Sequence, residues 1–469
     1  MKCCGTRNVA SGKVKEAWLG SLDPPQPYQS KMEETTKKKQ ARVIPTPVSM
    51  TFRVFGMHPC TYDPSTQHYS VRWCSPPVIH TIFNFVWFSV LLITSSVGMA
   101  RLFSYPQFLK DSGSDEMQLL GVLIIVGCLF NAWVNVLSRL ILLRPFCDFF
   151  NKWRDLASST DLNPFRHVGL ILSVYIAFLI CFLGVIGAVC TLGSSHLFLA
   201  TVELLARVLL LATEEWLVGT KGQVMHAVVG VVVVQVYMVY KLALFLFVAA
   251  CHFLQNSLEA WLAHLTSTID ALWEAETADG GGGGGGIGGG GGGGGGCGSR
   301  YDLGQLVHLH YQVVKMVRHT ERLFSPTLQC FYASQVVTLC LELYLVAYRV
   351  GIGATFELLE AAWQILVIVQ TCLVFLFVSL KASSVAETAD KAIDILRRGL
   401  PFNACDRDKY HFGELITAVT SDRICITGGK FFYINRPFII TVVGAVVSYF
   451  VIVLQLKLPS VSAQEATGD

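Results

Sequence analysis

Charge is scarce in this chain. Asp, Glu, Lys and Arg make up 15% of 469 residues, against roughly 25% in a soluble domain. Hydrophobic residues reach 52% and the mean hydropathy is +0.51. That balance excludes an ordinary soluble fold, and the formal net charge of +3 implies no nucleic-acid partner. There is no nucleophile elbow, phosphate loop or pair of catalytic acids, so no enzyme is expected. The fifteen cysteines are dispersed. They show no metal spacing and imply no disulfide framework, and no cofactor is expected. Cys3 and Cys4 are candidates for palmitoylation or plain free thiols. Asn-x-Ser/Thr occurs nowhere, and the N-terminal stretch is polar and lacks the pattern of a cleavable signal. Both absences argue against an external N-terminal domain.

What the chain has instead is apolar runs of membrane length. They fall at about Val78–Ala100, Leu119–Leu143, Val168–Leu192, Met225–Ala250, Leu328–Val350, Ala361–Leu380 and Pro437–Leu458, each long enough for a helix of about 20 residues. Seven transmembrane helices are therefore expected in an all-α membrane protein. Leu197–Leu217 competes for an eighth place, but Glu203, Arg207, Glu214 and Glu215 interrupt it, which reads as an external amphipathic segment. Gly184 and Gly187, inside the third run, suit close helix approach. Of the 36 Lys and Arg, 28 fall before Trp73, in the second and fourth connections, and in Lys381–Arg436. Positive residues are retained on the cytoplasmic side, so the N-terminus is expected inside and the C-terminus outside.

The last run is the most informative. Ser448-Tyr449 is followed by five apolar residues and then Gln455-Leu456. Tyr449 and Gln455 lie about 9 Å apart along a helix axis. Polar side chains at membrane depth cost several kcal/mol in hydrocarbon unless they meet protein or water, so this helix faces a partner helix or an aqueous path.

This segment resembles the C-terminal signature of the insect gustatory receptor family, in which Thr-Tyr, five hydrophobic residues, Gln and Phe end the seventh transmembrane helix. Ser448 stands for the Thr and Leu456 for the Phe. Gly429–Pro437 resembles the family's approach to that helix, and Phe52-Arg53-Val54-Phe55-Gly56 its stretch before the first span. The motif covers about 30 C-terminal residues; the remaining likeness is one of layout. The resemblance implies four subunits, a central cation pore lined by the seventh helices, and a cytosolic anchor formed by extensions of helices 4 to 7. It assigns Ser448, Tyr449, Gln455 and Leu456 to the pore and gate, and implies an outward-opening pocket for a small-molecule tastant.

The connections fit that layout. Residues 1–77 form the cytoplasmic N-terminal region, 78–250 spans one to four, 251–327 a cytoplasmic loop, 328–380 spans five and six, 381–436 the anchor helices, 437–458 the pore helix and 459–469 an extracellular tail. Nearly every residue in Gly280–Gly298 is glycine, which supports no packed core and predicts a flexible coil. Leu254, Leu258, Leu262, Leu265, Ile269 and Leu272 make an apolar stripe at helical spacing. Leu306, Leu309, Val313, Met316 and Leu323 make a second, and Val385, Ala389, Ala392 and Leu396 a third that Gly399 and Pro401 end. These predict helical extensions packed into one bundle or laid on the membrane surface. Lys241 and Glu342 are charges within spans, expected to face protein and candidates to pair with each other. Asn131, Gln235, Glu342, Trp363, Gln364 and Gln370 are the candidate ligand contacts, with helix packing as the alternative role for each. The expected function is a tastant-gated, nonselective cation channel in the plasma membrane of chemosensory neurons, a homotetramer or a heterotetramer with related receptors, in contact with lipid. A metabotropic seven-helix receptor and a secondary transporter are the alternatives.

Overall fold

Long apolar segments become helices because only a helix satisfies its own backbone N–H and C=O groups where water is absent. A computed structural model of the chain describes residues 46–66, 68–104, 116–160, 196–213, 216, 219–280, 303–351, 358–402, 404–421 and 424–465. Ten helices carry most of them. They are α1 Thr46–Val54, α2 Pro76–Ser104, α3 Glu116–Ile141, α4 Leu143–Ser159, α5 His196–Leu210, α6 Gly219–Gly280, α7 Leu303–Gly351, α8 Leu358–Leu396, α9 Asp406–Ser421 and α10 Arg436–Glu465. Six of them, α2, α3, α6, α7, α8 and α10, are long and apolar enough to cross a membrane. They match the expected spans one, two and four to seven. The expected third span lies outside the described residues, as do Cys3, Cys4 and Gly281–Gly298.

The first membrane-length helix, α2, is apolar on both faces. In α2 the inward stripe is Val78, Thr81, Asn84, Phe88, Leu91, Ser95, Gly98 and Leu102, while Ile79, Phe83, Val86, Val90, Ile93 and Val97 point outward and are exposed. A water-facing helix would carry charge there; lipid requires hydrocarbon. Helix α6 lies at the centre, buried continuously from Met238 to Cys251, and packs against α3, α5, α7 and α8.

Beyond the spans, α6, α7 and α8 continue as the stripes predict. Leu262, Leu265 and Ile269 of α6 meet Leu303 and Leu306 of α7, Ala392 and Leu396 of α8, and Phe412 and Leu415 of α9 in a second core. Trp261 donates its indole N–H to the Leu306 carbonyl at 3.0 Å, satisfying the polar atom of a fully buried side chain. Gly399 takes a left-handed φ of 74° just past the end of α8, a conformation open to glycine without Cβ strain.

Four features differ from the sequence reading. Helix α5 is a 15-residue helix packed into the bundle, its Leu204, Leu205, Ala206, Val208 and Leu209 buried against α2, α3 and α6. Its charges sit on the one face left over. A side chain at Gly98 would lie 2.6 Å from the Val208 carbonyl oxygen, so α2 and α5 touch backbone to backbone. A disulfide joins Cys60 to Cys147 across 87 residues, a pairing that no spacing rule exposes. Two short hairpins accompany the helices: β1 Thr61–Asp63 with β2 His68–Ser70, and β3 Thr427–Gly428 with β4 Phe432–Tyr433. Finally, α10 runs on to Glu465, past the expected end at Leu458.

Around the disulfide, amphipathic α4 buries Phe146, Phe149, Phe150 and Trp153. Fully buried Arg139 lies 4.4 Å over the Phe146 ring and 4.8 Å over Phe324. The Phe52–Gly56 motif ends α1 and turns onto α2. Gly56, at φ 67°, accepts at its carbonyl from the Thr81 hydroxyl at 2.8 Å, and the Phe55 carbonyl accepts from Asn84 at 3.0 Å.

Candidate functional site

The start of α10 is built with care. Strand β3 pairs with β4 in the register Thr427↔Tyr433 and Gly428↔Phe432, leaving a three-residue loop in which Gly429 and Lys430 both have φ of 64°. The Phe432 ring lies across Gly428, where an added Cβ would fall 2.2 Å from it. Asn435 then caps α10, its side-chain oxygen accepting from the Phe438 N–H at 3.0 Å. Arg436 reaches Glu387 of α8 through two bonds of 2.7 Å. A cavity of 420 Å³ opens beside this junction, lined by Glu387, Asp390, Tyr433, Asn435 and Arg436 among others.

From there α10 packs on α7 and α8 along one side. Its other side carries Ile440, Val443, Val447 and Val451, exposed at spacings of three and four. Ser448, Tyr449 and Gln455 are exposed as well. The side chain of Leu456 lies outside the described residues. Thus a membrane-length helix presents an apolar stripe with three polar side chains to whatever lies beyond the single chain.

The candidate ligand contacts divide. Gln370 of α8 donates to the Tyr237 hydroxyl of α6, and the Lys241 ammonium lies 5.2 Å over the Tyr237 ring and 4.8 Å over Tyr240. This is one polar cluster inside the bundle. No ion pair joins Lys241 to Glu342 among the described residues; the Lys241 ammonium lies instead over the faces of Tyr237 and Tyr240. Glu342 is buried on α7. Gln235 donates to Asn84 of α2 at 3.1 Å, and Asn131 donates to the Gly127 carbonyl of its own helix at 2.9 Å. The Gln364 side-chain oxygen is buried without a partner, and the Trp363 side chain lies outside the described residues. Sequence reasoning missed Tyr237 and Tyr240. The signal was there: an aromatic residue four before a lysine shares its helix face.

A family model of the 7tm chemosensory receptors matches residues 47–458. The chain belongs to that family. The receptor is also similar in fold to the insect olfactory receptor OR5 of Machilis hrabei, with a TM-score of 0.60 at 14% identity over 91% of this chain and 99% of that one. A second structure of OR5, in complex with eugenol, aligns with a TM-score of 0.57 at 14% identity over 87% of this chain and 97% of that one. In sequence, the receptor is 27% identical over 168 residues to gustatory receptor family protein 3 of Caenorhabditis elegans. That alignment spans 35% of this chain and 37% of the relative. The receptor is a multi-pass membrane protein and a chemosensory receptor.

Proposed function

We propose that the receptor is a ligand-gated, nonselective cation channel opened by a tastant at the plasma membrane of chemosensory neurons. Four copies, identical or mixed with related receptors, surround a pore lined by α10, with the N-terminus cytoplasmic and the second core as the cytosolic anchor. The observation that carries this reading is the bare surface of α10, where Ser448, Tyr449 and Gln455 stand exposed among apolar residues. A polar group at membrane depth needs protein or water opposite it. Neighbouring copies around an aqueous path supply both. The polar cluster of Tyr237, Lys241 and Gln370 is the ligand region, where a small organic molecule that binds one state better shifts the gate. The similar fold of OR5 has been seen in complex with a small organic molecule, eugenol.

The test is expression in a cell without endogenous receptors, with current recorded against a tastant panel and epitope tags at both ends. Tastant-evoked cation current with an N-terminal tag hidden on intact cells is the expected result. Surface staining of that tag, with G-protein signalling and no current, would replace the channel with a metabotropic receptor.

A further inference from the structure

Tyr332 of α7 sits where four elements meet at the base of α10. Its ring is 5.7 Å from Phe375 of α8 at 88°, 5.4 Å from Phe432 of β4 at 90°, and 5.2 Å from Phe438 of α10 at 85°. Phe432 and Phe438 stack on each other at 4.6 Å. The Tyr332 hydroxyl lies 2.9 Å from the Ser379 hydroxyl of α8, and the whole side chain is buried. A tyrosine serving only to fill space would not require a buried hydroxyl, whose desolvation must be offset by a partner.

We propose that Tyr332 is a positioning residue that couples the ligand-bearing helix α8 to the pore helix α10. The proposal rests on the pore reading of α10. Gln370 and Ser379 belong to one continuous helix, nine residues apart, so a displacement of α8 at Tyr237 reaches Ser379 with little loss. Three near-perpendicular ring contacts hold Tyr332 in one edge-to-face arrangement, and such packing exchanges between discrete states more readily than it slides. Motion of α8 therefore moves Tyr332, and with it Phe438 in the first turn of α10. The phenol hydroxyl and the Phe375 contact tie the ring to α8, while Phe432 and Phe438 tie it to β4 and α10.

The experiment uses the full-length receptor carrying Gln455→Cys, with Tyr332→Phe, Ser379→Ala and both together. The readouts are surface density and the rate at which a charged methanethiosulfonate reagent modifies the cysteine without ligand. Losing a neutral hydrogen bond present in one state changes the state ratio about two- to tenfold. Each single variant is expected to shift the modification rate by that factor in the same direction at unchanged surface density. The double variant shifts it no further, because both remove the same bond. An unchanged rate in Tyr332→Phe, or additive shifts in the double variant, overturns the coupling while the pore reading stands. A Gln455→Cys receptor whose cysteine is inaccessible to the reagent overturns the pore reading and the coupling together.

Discussion

Arg436 and Glu387 form a two-point clamp, Nε to Oε1 and Nη2 to Oε2, each 2.7 Å long, between the first turn of α10 and the C-terminal third of α8. The side chains are 71% and 39% exposed, which limits the pair to about 1 kcal/mol. A double-mutant cycle of Arg436→Ala and Glu387→Ala, read by thermal unfolding in detergent, should return a coupling of that size. A coupling indistinguishable from zero would reduce the clamp to two independent surface residues.

Acidification should weaken the fold through His58. It is packed 5.3 Å from Phe150 and 5.8 Å from Tyr69, and burial, aided by the Arg53 charge, pushes its pKa down from 6.5 to about 4. The folded protein therefore keeps this imidazole neutral, while the unfolded chain protonates it near 6.5. Its contribution is complete above that pH and is lost as pH falls towards 4. At 1.36 kcal/mol per pH unit the loss reaches about 3 kcal/mol. His58→Phe retains a ring and removes the titration, so its melting temperature should drop less between pH 7 and about pH 5 than that of the wild type.

Gly98 should tolerate no side chain. Val208 backbone atoms stand 2.6 and 2.7 Å from where a Cβ would be, and backbone cannot swing aside as a flexible side chain does. Gly98→Ala is expected to cost about 1–3 kcal/mol and to lower the yield of monodisperse receptor in size-exclusion chromatography. Gly230, with nothing within 4 Å of its Cβ position, provides the control: Gly230→Ala should be neutral or slightly stabilising.

The gate prediction concerns conduction. If α10 lines the pore as proposed, Gln455→Ala removes an amide from each subunit along the path, so selectivity or basal current should change with surface expression retained. Leu456→Ser should raise basal current by wetting a hydrophobic constriction. Tyr449→Ala should mainly lower expression through weaker packing. Wild-type current–voltage relations and selectivity in both the Gln455 and Leu456 variants would return these residues to ordinary helix packing.

Much of the fold was legible because the bilayer enforces a single pattern. Six of the span positions followed from apolar length alone, and the extensions followed from leucines at helical spacing, which reappear buried in the second core. Helix α5 misled because Glu203 and Arg207 suggested a surface location, whereas the apolar majority of its residues decided where it packs. The site was less legible. Gln370 was identifiable as a polar residue in a span, but its partner Tyr237 lies 133 residues away, and no local rule brings them together. The same holds for Tyr332, whose ring meets Phe375, Phe432 and Phe438 from three separate elements. Cys60 and Cys147 were hidden for the same reason.

Helix α6 has 62 residues, about 93 Å of continuous helix, roughly three times the thickness of a bilayer's hydrocarbon layer. One rod thus stands in two solvents. Where it lies in lipid, its neighbours are held by close packing and by hydrogen bonds that have no water to compete with them. Where it emerges, Leu262, Leu265 and Ile269 are held in their core by exclusion from water. A chaotrope acts on the second part and hardly on the first, so the two ends of a single unbroken backbone answer to different denaturants.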